Sequence, residues 1–119
     1  MKQVNPDREL LRRYIRLVRP VFEVYEQADA PPHRQWAVYD KRDRVLRAFS
    51  SKSEARAAKR KAVAERALRT AWTGIFRGAP FPAKGPAPYE GGPVDEYLCR
   101  EWTYAVYAAV VSTRNQHRN

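Results

Sequence analysis

The sequence contains few cysteine and histidine residues. Its single cysteine, Cys99, excludes an internal disulfide and a cysteine-rich zinc site. The only histidines, His33 and His117, are far apart in the chain, whereas a zinc or catalytic centre needs clustered ligands. No recognisable catalytic motif is present. We therefore expect a protein without enzymatic activity, metal or cofactor.

Segments for export or membrane insertion are also missing. The first ten residues, MKQVNPDREL, lack the apolar stretch of a signal peptide. The longest apolar run, residues 104–111, is far shorter than the roughly 20 residues that a membrane span requires. These absences predict a soluble, cytoplasmic protein without a membrane partner.

Acidic residues are too few to balance the basic ones. The 119 residues include 23 Lys and Arg but 13 Asp and Glu, which gives a net charge of +10. Residues 1–77 carry 19 basic and 9 acidic side chains, and residues 78–119 carry 4 of each, so the whole excess lies in the first two-thirds. Such a positive field attracts polyanions, although it says nothing about the fold.

The first half of the chain has the pattern of a helix followed by three strands. A helix is predicted to begin at Asn5-Pro6-Asp7, where Asn can cap and Pro suits the first turn, and to end at Pro20. Residues 21–25, 36–39 and 45–49 are β-rich. The last two segments flank residues 40–43, which we interpret as a hairpin loop although it lacks the usual glycine.

Two further helices are predicted in the second half. Ser51 and Glu54 match a capping box that opens the longest helix, which extends to about Phe76. Residues 78–93 contain five prolines and four glycines and are interpreted as an extended loop packed on the surface. A helix over residues 94 to about 112 is apolar nearly all round, so we expect it to complete the core or to contact a partner.

The predicted fold class is α+β in a single domain covering residues 1–119. Its α-β-β-β-α core, about residues 5–77, contains a small antiparallel three-stranded sheet with helices on one face. The Pro/Gly-rich loop and the C-terminal apolar helix follow this core.

The long helix has a strongly basic face. At about 100° per residue, an apolar arc contains Ala57, Ala64, Leu68, Ala71, Trp72 and Ile75. An opposite arc of about 120° contains only cations among its charged residues: Lys52, Arg56, Lys59, Arg60 and Arg66. Ordinary solvated helix faces mix charges of both signs, because like charges one turn apart destabilise the helix.

We interpret this face as a binding site for the phosphate backbone of DNA or RNA, with little sequence specificity. The alternative interpretation is a solubilising surface. Arg12 and Arg16 on the first helix and Arg42 in the hairpin loop are further candidate contacts. Whether these cations share one surface with the long helix depends on packing, which the sequence leaves open.

The layout resembles the double-stranded-RNA-binding domain over about residues 6–70. The resemblance rests on the α-β-β-β-α order, on the loop Pro31-Pro32-His33 and on the helix opening Ser51-Lys52-Ser53-Glu54-Ala55-Arg56. In that family the corresponding loop and helix start contact successive grooves of duplex RNA. The family's loop glycine, second lysine and glycine-rich third strand are absent here, so the resemblance covers the layout rather than the specific motif.

A second hypothesis assigns the aromatic residues to protein binding. Tyr97, Trp102, Tyr104 and Tyr107 in the last helix are candidate interface residues, because Tyr and Trp dominate interface hot spots. The protein would then be a small adaptor or inhibitor, of the kind mobile elements encode, that docks on a larger protein or nucleoprotein complex. A homodimer through the same helix is also predicted. The strand aromatics Tyr25, Trp36 and Tyr39 are expected mainly in the core, with base stacking as the alternative.

Overall fold

A computed structural model of the chain describes residues 7–82 and 85–117, and the side chains of these residues up to Ser112. The elements, in chain order, are α1 (Arg8–Val18), a short 3₁₀ turn (Arg19–Val21), β1 (Phe22–Glu26), a second 3₁₀ turn (Pro32–Arg34), β2 (Trp36–Asp40), β3 (Val45–Phe49), α2 (Lys52–Ile75) and α3 (Val94–His117). This arrangement confirms the predicted α+β fold and its element order.

The three strands form one antiparallel sheet in the order β1-β2-β3. The register pairs Val24 with Val38 and Val38 with Arg47. Because side chains alternate along a strand, one face of the sheet carries Phe22, Val38 and Asp40, and this face packs on α2. Helices α1 and α3 pack on α2 and on each other.

Helix α1 begins at a side-chain cap. The Asp7 carboxylate accepts a hydrogen bond from the Leu10 amide at 3.2 Å, and this satisfies one of the free donors of the first turn. Asn5 and Pro6, to which the sequence analysis assigned the helix start, lie outside the described residues. At the other end, α1 stops at Val18, close to Pro20 as predicted, and the chain continues through Pro20 in the 3₁₀ turn. Arg19 still has right-handed helical angles, with φ of −50° and ψ of −45°, so the helix ends because Pro20 has no N–H to continue its hydrogen bonds.

The turn between β2 and β3 forms without a glycine. One carboxylate oxygen of Asp40 accepts hydrogen bonds from the amides of Arg42 and Asp43, at 2.9 and 3.1 Å. Arg44 takes the left-handed conformation, with φ of 55°, that glycine usually provides. The Asp side chain therefore stabilises the turn that the residue pattern predicted.

Helix α2 is the central element of the fold. The Ser51 hydroxyl accepts a hydrogen bond from the Glu54 amide at 3.1 Å, which confirms the predicted N-cap. The Glu54 carboxylate accepts from the Ser50 hydroxyl at 3.0 Å. The predicted apolar arc is confirmed for Ala64, Leu68, Ala71 and Trp72, which are buried, and Ile75 is half-buried. The prediction is wrong for Ala57, which is exposed, and it left out the buried residues Ala55, Val63 and Ala67. The physical reason is that α2 packs against the sheet, α1 and α3 from different directions.

One apolar core joins the three helices to the start of the sheet. Its buried members are Leu11, Ile15, Val18, Phe22, Val63, Ala64, Ala67, Leu68, Ala71, Trp72, Tyr89, Tyr97, Leu98, Trp102 and Ala105. Helix α3 thus contributes to the core along its first half, which agrees with the expectation that this helix completes the core.

The Pro/Gly-rich loop is held against α3 by specific hydrogen bonds. The buried carboxylate of Glu101 accepts from the Ala87 amide at 2.7 Å, and the Tyr97 hydroxyl donates to the Ala87 carbonyl at 2.5 Å. The indole of Trp72 donates to the Pro80 carbonyl at 3.1 Å. These contacts anchor both parts of the loop on either side of residues 83 and 84, which lie outside the described residues.

Within the described ranges, none of the helices has the length and apolarity needed to cross a membrane.

Candidate nucleic-acid interface

Helices α1 and α2 form the two walls of an open groove lined mainly by cations. Its volume is about 720 Å³, and the first turn of α3 closes one side. The cationic lining residues are Arg12, Arg16, Arg19, Arg56, Lys59 and Arg60. Ile15, Val63 and Val94 provide apolar surface between them, and Asp95 is the one carboxylate in the lining.

Helical periodicity explains why the cations of each wall point into the groove. Arg12 and Arg16 are one turn apart on α1, and Arg19 continues the same row at the start of the 3₁₀ turn. On α2, Arg56 is followed by Lys59 and Arg60 at the spacing of one turn. The structure therefore answers the question left open by the sequence: the basic faces of α1 and α2 share one surface.

Three of the six cations interact with other groups. Arg12 donates to the Asp95 carboxylate at 3.1 Å, and Arg16 donates to Glu9 at 3.2 Å. Arg60 donates to the Gly92 carbonyl at 2.9 Å, which leaves its charge uncompensated.

The other three cations have no such partners. Among residues 7–82 and 85–112, no ion pair or side-chain hydrogen bond involves Arg19, Arg56 or Lys59. Cations that face each other across a groove without acidic partners repel each other, and a bound anion removes this repulsion.

The carboxylate of Asp95 is ionised at neutral pH. The hydrogen bond from Arg12 lowers the pKa of Asp95, and burial opposes this effect only in part. The Arg12–Asp95 pair joins α1 to the first turn of α3 and is half-exposed, with 48% and 29% of the two side chains accessible. Like Arg16, which pairs with Glu9, Arg12 is thus already bound to an anion of the protein itself.

The remaining predicted contacts on α2 and in the hairpin lie outside the groove. Lys52 lies over the ring of Trp36, with its ammonium 5.3 Å from the ring centroid. Arg66 points toward the sheet, where it pairs with Asp40 at 2.6 Å and with Asp43 at 2.7 Å. Arg66 lies in the predicted basic arc, but this pairing removes it from the candidate surface.

Arg42 is exposed in the hairpin turn, and its side chain does not line the groove. Conversely, Arg19 and Asp95 line the groove although neither was among the contacts predicted from the sequence. The spacing of Arg19 from Arg12 and Arg16 was a signal available in the sequence. Nothing in the sequence indicated Asp95, because an acid in the first helical turn is ordinary.

The predicted protein-interface residues divide into two groups. Tyr97 and Trp102 are only 2% and 6% exposed, so both belong to the core and we leave them out of any docking surface. Burial raises the pKa of Tyr97 to about 12. Tyr104 and Tyr107 are 64% and 68% exposed and lie, with Val110, on one face of α3.

The strand aromatics lie outside the core cluster, contrary to the expectation for them. Trp36 and Tyr39 are half-buried, and Tyr25 is exposed. Tyr25 and Tyr39 share the sheet face opposite α2, whereas Trp36 lies on the α2 side beneath Lys52.

Possible metal ligands and the single thiol were located among the described residues. These residues contain no group of three or more His, Cys, Asp and Glu residues close enough to hold a metal ion. Cys99 is half-buried, and burial raises the pKa of its thiol, which disfavours the reactive thiolate. Exposed His33 lies in the 3₁₀ turn before β2, and the side chain of His117 is outside the described part.

Comparison of the chain with protein families, with curated proteins and with solved structures gives no match. The resemblance to the double-stranded-RNA-binding domain therefore remains one of layout.

Proposed function

We propose that the protein is a non-enzymatic nucleic-acid-binding protein that holds backbone phosphates in the groove between α1 and α2. One observation supports this proposal: six cations from α1, the 3₁₀ turn that follows it and α2 line a single groove with one carboxylate among them. Three of the six, Arg19, Arg56 and Lys59, make neither an ion pair nor a side-chain hydrogen bond within the described side chains.

The chemistry of the groove suits phosphate better than base edges. Arg and Lys neutralise phosphates and release the counterions condensed on the polymer, which favours binding irrespective of sequence. Besides the cations, the groove is lined only by aliphatic side chains, Pro93 and the carboxylate of Asp95. Asn and Gln, which read adenine through paired hydrogen bonds, are absent from the lining, so we expect weak sequence preference.

The number of cations sets the expected salt dependence. Contacts from the three unpaired cations alone would give a slope of log K against log salt of about −2.7 on duplex DNA, and contacts from all six would give about −5.4. Fluorescence anisotropy with labelled duplex DNA, duplex RNA and single strands, between about 50 and 200 mM salt, measures this slope.

A charge-reversed pair of variants tests whether the groove is the site. Arg56→Glu with Lys59→Glu reverses two groove cations and should abolish binding. The matched control is Arg42→Glu with Lys61→Glu, which changes the net charge equally at two exposed positions outside the groove lining. Equal losses in both variants would show that net charge rather than the groove drives binding. Failure of all polymers to bind at low salt would refute the proposed function.

The adaptor or inhibitor hypothesis remains a prediction, whereas one observation favours the predicted homodimer. Tyr104, Tyr107 and Val110 form an exposed apolar face on α3. We propose a second copy of the chain as the occupant, because residues 78–119 have no net charge, whereas the rest of the chain, at +10, repels its copies. In a dimer with a two-fold axis, this face of one copy would contact the same face of the other copy.

The small area of this face predicts weak self-association. Three side chains are far fewer than the 20 to 30 residues per partner of a standard interface. Analytical ultracentrifugation should detect a dimer only at high protein concentration, and Tyr104→Ser with Tyr107→Ser should abolish it. If the chain stays monomeric at millimolar concentration, the proposed self-association through this face is wrong.

A further inference from the structure

We infer that Asp95 limits the affinity of the groove for phosphates, because its carboxylate binds Arg12 in the place of a ligand phosphate. This inference rests on the proposed function and concerns the same groove. Asp95 is the one acidic residue in the lining, and its carboxylate oxygen lies 3.1 Å from the Arg12 guanidinium.

A carboxylate and a phosphate compete for the same donor. Both accept charge-assisted hydrogen bonds from a guanidinium, so a ligand phosphate that reaches Arg12 must displace Asp95. The pair is weak enough to be displaced, since ion pairs with this degree of exposure contribute little to stability. After displacement, the freed carboxylate lies beside the phosphate and repels it.

Asp95 also determines which cations of the groove a ligand phosphate contacts first. Arg12 is paired at the α3 side of the groove, whereas Arg19, Arg56 and Lys59 make no ion pair or side-chain hydrogen bond among the described side chains. The ligand therefore binds first to these three cations and reaches Arg12 only in competition with Asp95. In this role Asp95 is a positioning residue that acts through Arg12.

The substitution Asp95→Asn removes the negative charge and keeps an oxygen that can accept from Arg12. We expect binding of duplex DNA to become roughly three- to tenfold tighter at 100 mM salt, because one more cation reaches a phosphate. The salt slope should become steeper by about 0.9, the value for one additional phosphate contact. A purely structural role of Asp95 would leave this slope unchanged.

Glu96→Gln is the matched control, because Glu96 is exposed in the same turn of α3, loses the same charge and does not line the groove. Its effect on affinity should be less than about twofold. In an Arg12→Gln background, Asp95→Asn should no longer steepen the slope, since the cation through which Asp95 acts has been removed.

Inorganic polyphosphate serves as a second probe, so that the two proposals can fail separately. If polyphosphate binds and nucleic acids do not, the proposed function is wrong, and the effect of Asp95→Asn on polyphosphate still tests the inference. Unchanged or weaker binding by Asp95→Asn, or an equal gain in Glu96→Gln, would overturn the role of Asp95. If neither probe binds the wild-type chain, both proposals fail.

Discussion

The guanidinium of Arg66 on α2 is shared by two carboxylates of the β2–β3 hairpin, Asp40 at 2.6 Å and Asp43 at 2.7 Å. Asp40 in turn accepts the two amide hydrogen bonds that form the hairpin turn. The same guanidinium lies 5.1 Å from the ring centroid of Phe22 on β1. Arg66 therefore joins the central helix to two strands and has a structural role.

Replacing Arg66 by Met should destabilise the fold. The substitution keeps most of the aliphatic stem but leaves Asp40, which is nearly buried, without its cationic partner. We expect the free energy of unfolding to fall by about 1.5–3 kcal/mol, the usual contribution of hydrogen bonds to charged groups. Urea denaturation measures the change. Arg42→Met is the control and should change stability by less than about 0.5 kcal/mol, because Arg42 is exposed.

The pair of Asp40 and Arg66 should also make the free energy of unfolding depend on pH in the acidic range. Burial by itself would raise the pKa of Asp40, but the amides of Asp43 and Arg42 and the Arg66 guanidinium outweigh it and lower the pKa. A carboxyl group whose pKa is lower in the folded state stabilises the fold above its unfolded pKa of about 3.9 and loses this contribution as pH falls below that value.

Asp40→Asn isolates this contribution, since Asn keeps an oxygen for the turn amides but cannot titrate. The unfolding free energy of the wild-type chain should fall more steeply below about pH 4 than that of the variant. Chemical denaturation between pH 2.5 and 7 tests the difference. Parallel curves for the two proteins would contradict a titrating role of Asp40.

Removal of one hydroxyl should loosen the Pro/Gly-rich loop. The Tyr97 hydroxyl donates to the Ala87 carbonyl, so Tyr97→Phe should lower the unfolding free energy by about 0.5–1.5 kcal/mol and speed amide exchange near Ala87. Hydrogen–deuterium exchange measures the exchange rates of the loop amides directly. Tyr107→Phe removes the same atom from a side chain that is 68% exposed and should leave the exchange unchanged.

Loss of the helix cap should weaken the start of α2. Ser51→Ala removes the acceptor of the Glu54 amide, and we expect a loss of about 1 kcal/mol. Thermal denaturation provides the measurement. Ser53→Ala is the control, because Ser53 lies in the same turn, is exposed and makes no capping bond. A larger loss in the control would show that the cap is not the stabilising contact.

Local signals determined most of the secondary structure. Ser51 marks the start of α2, Pro20 marks the end of α1, and the β-rich segment at 45–49 corresponds to β3 (Val45–Phe49). These predictions succeed because capping, proline geometry and strand propensity depend on residues that are close in sequence. The concentration of cations before residue 78 is likewise a property of the sequence alone.

Tertiary structure decided which of those cations can act together. Arg12 and Arg56 line the same groove, and Arg66, from the same predicted arc as Arg56, turns toward Asp40. A helical wheel could not separate Arg56 from Arg66, because α2 contacts three neighbours and its environment changes along its length. The pairing of Arg12 with Asp95, which are 83 residues apart, exists only because α1 and α3 pack against each other. The sequence thus determined how many cations the chain carries and in which segments they lie. Packing between distant segments decided which of these cations pair with carboxylates and which remain free to bind a ligand.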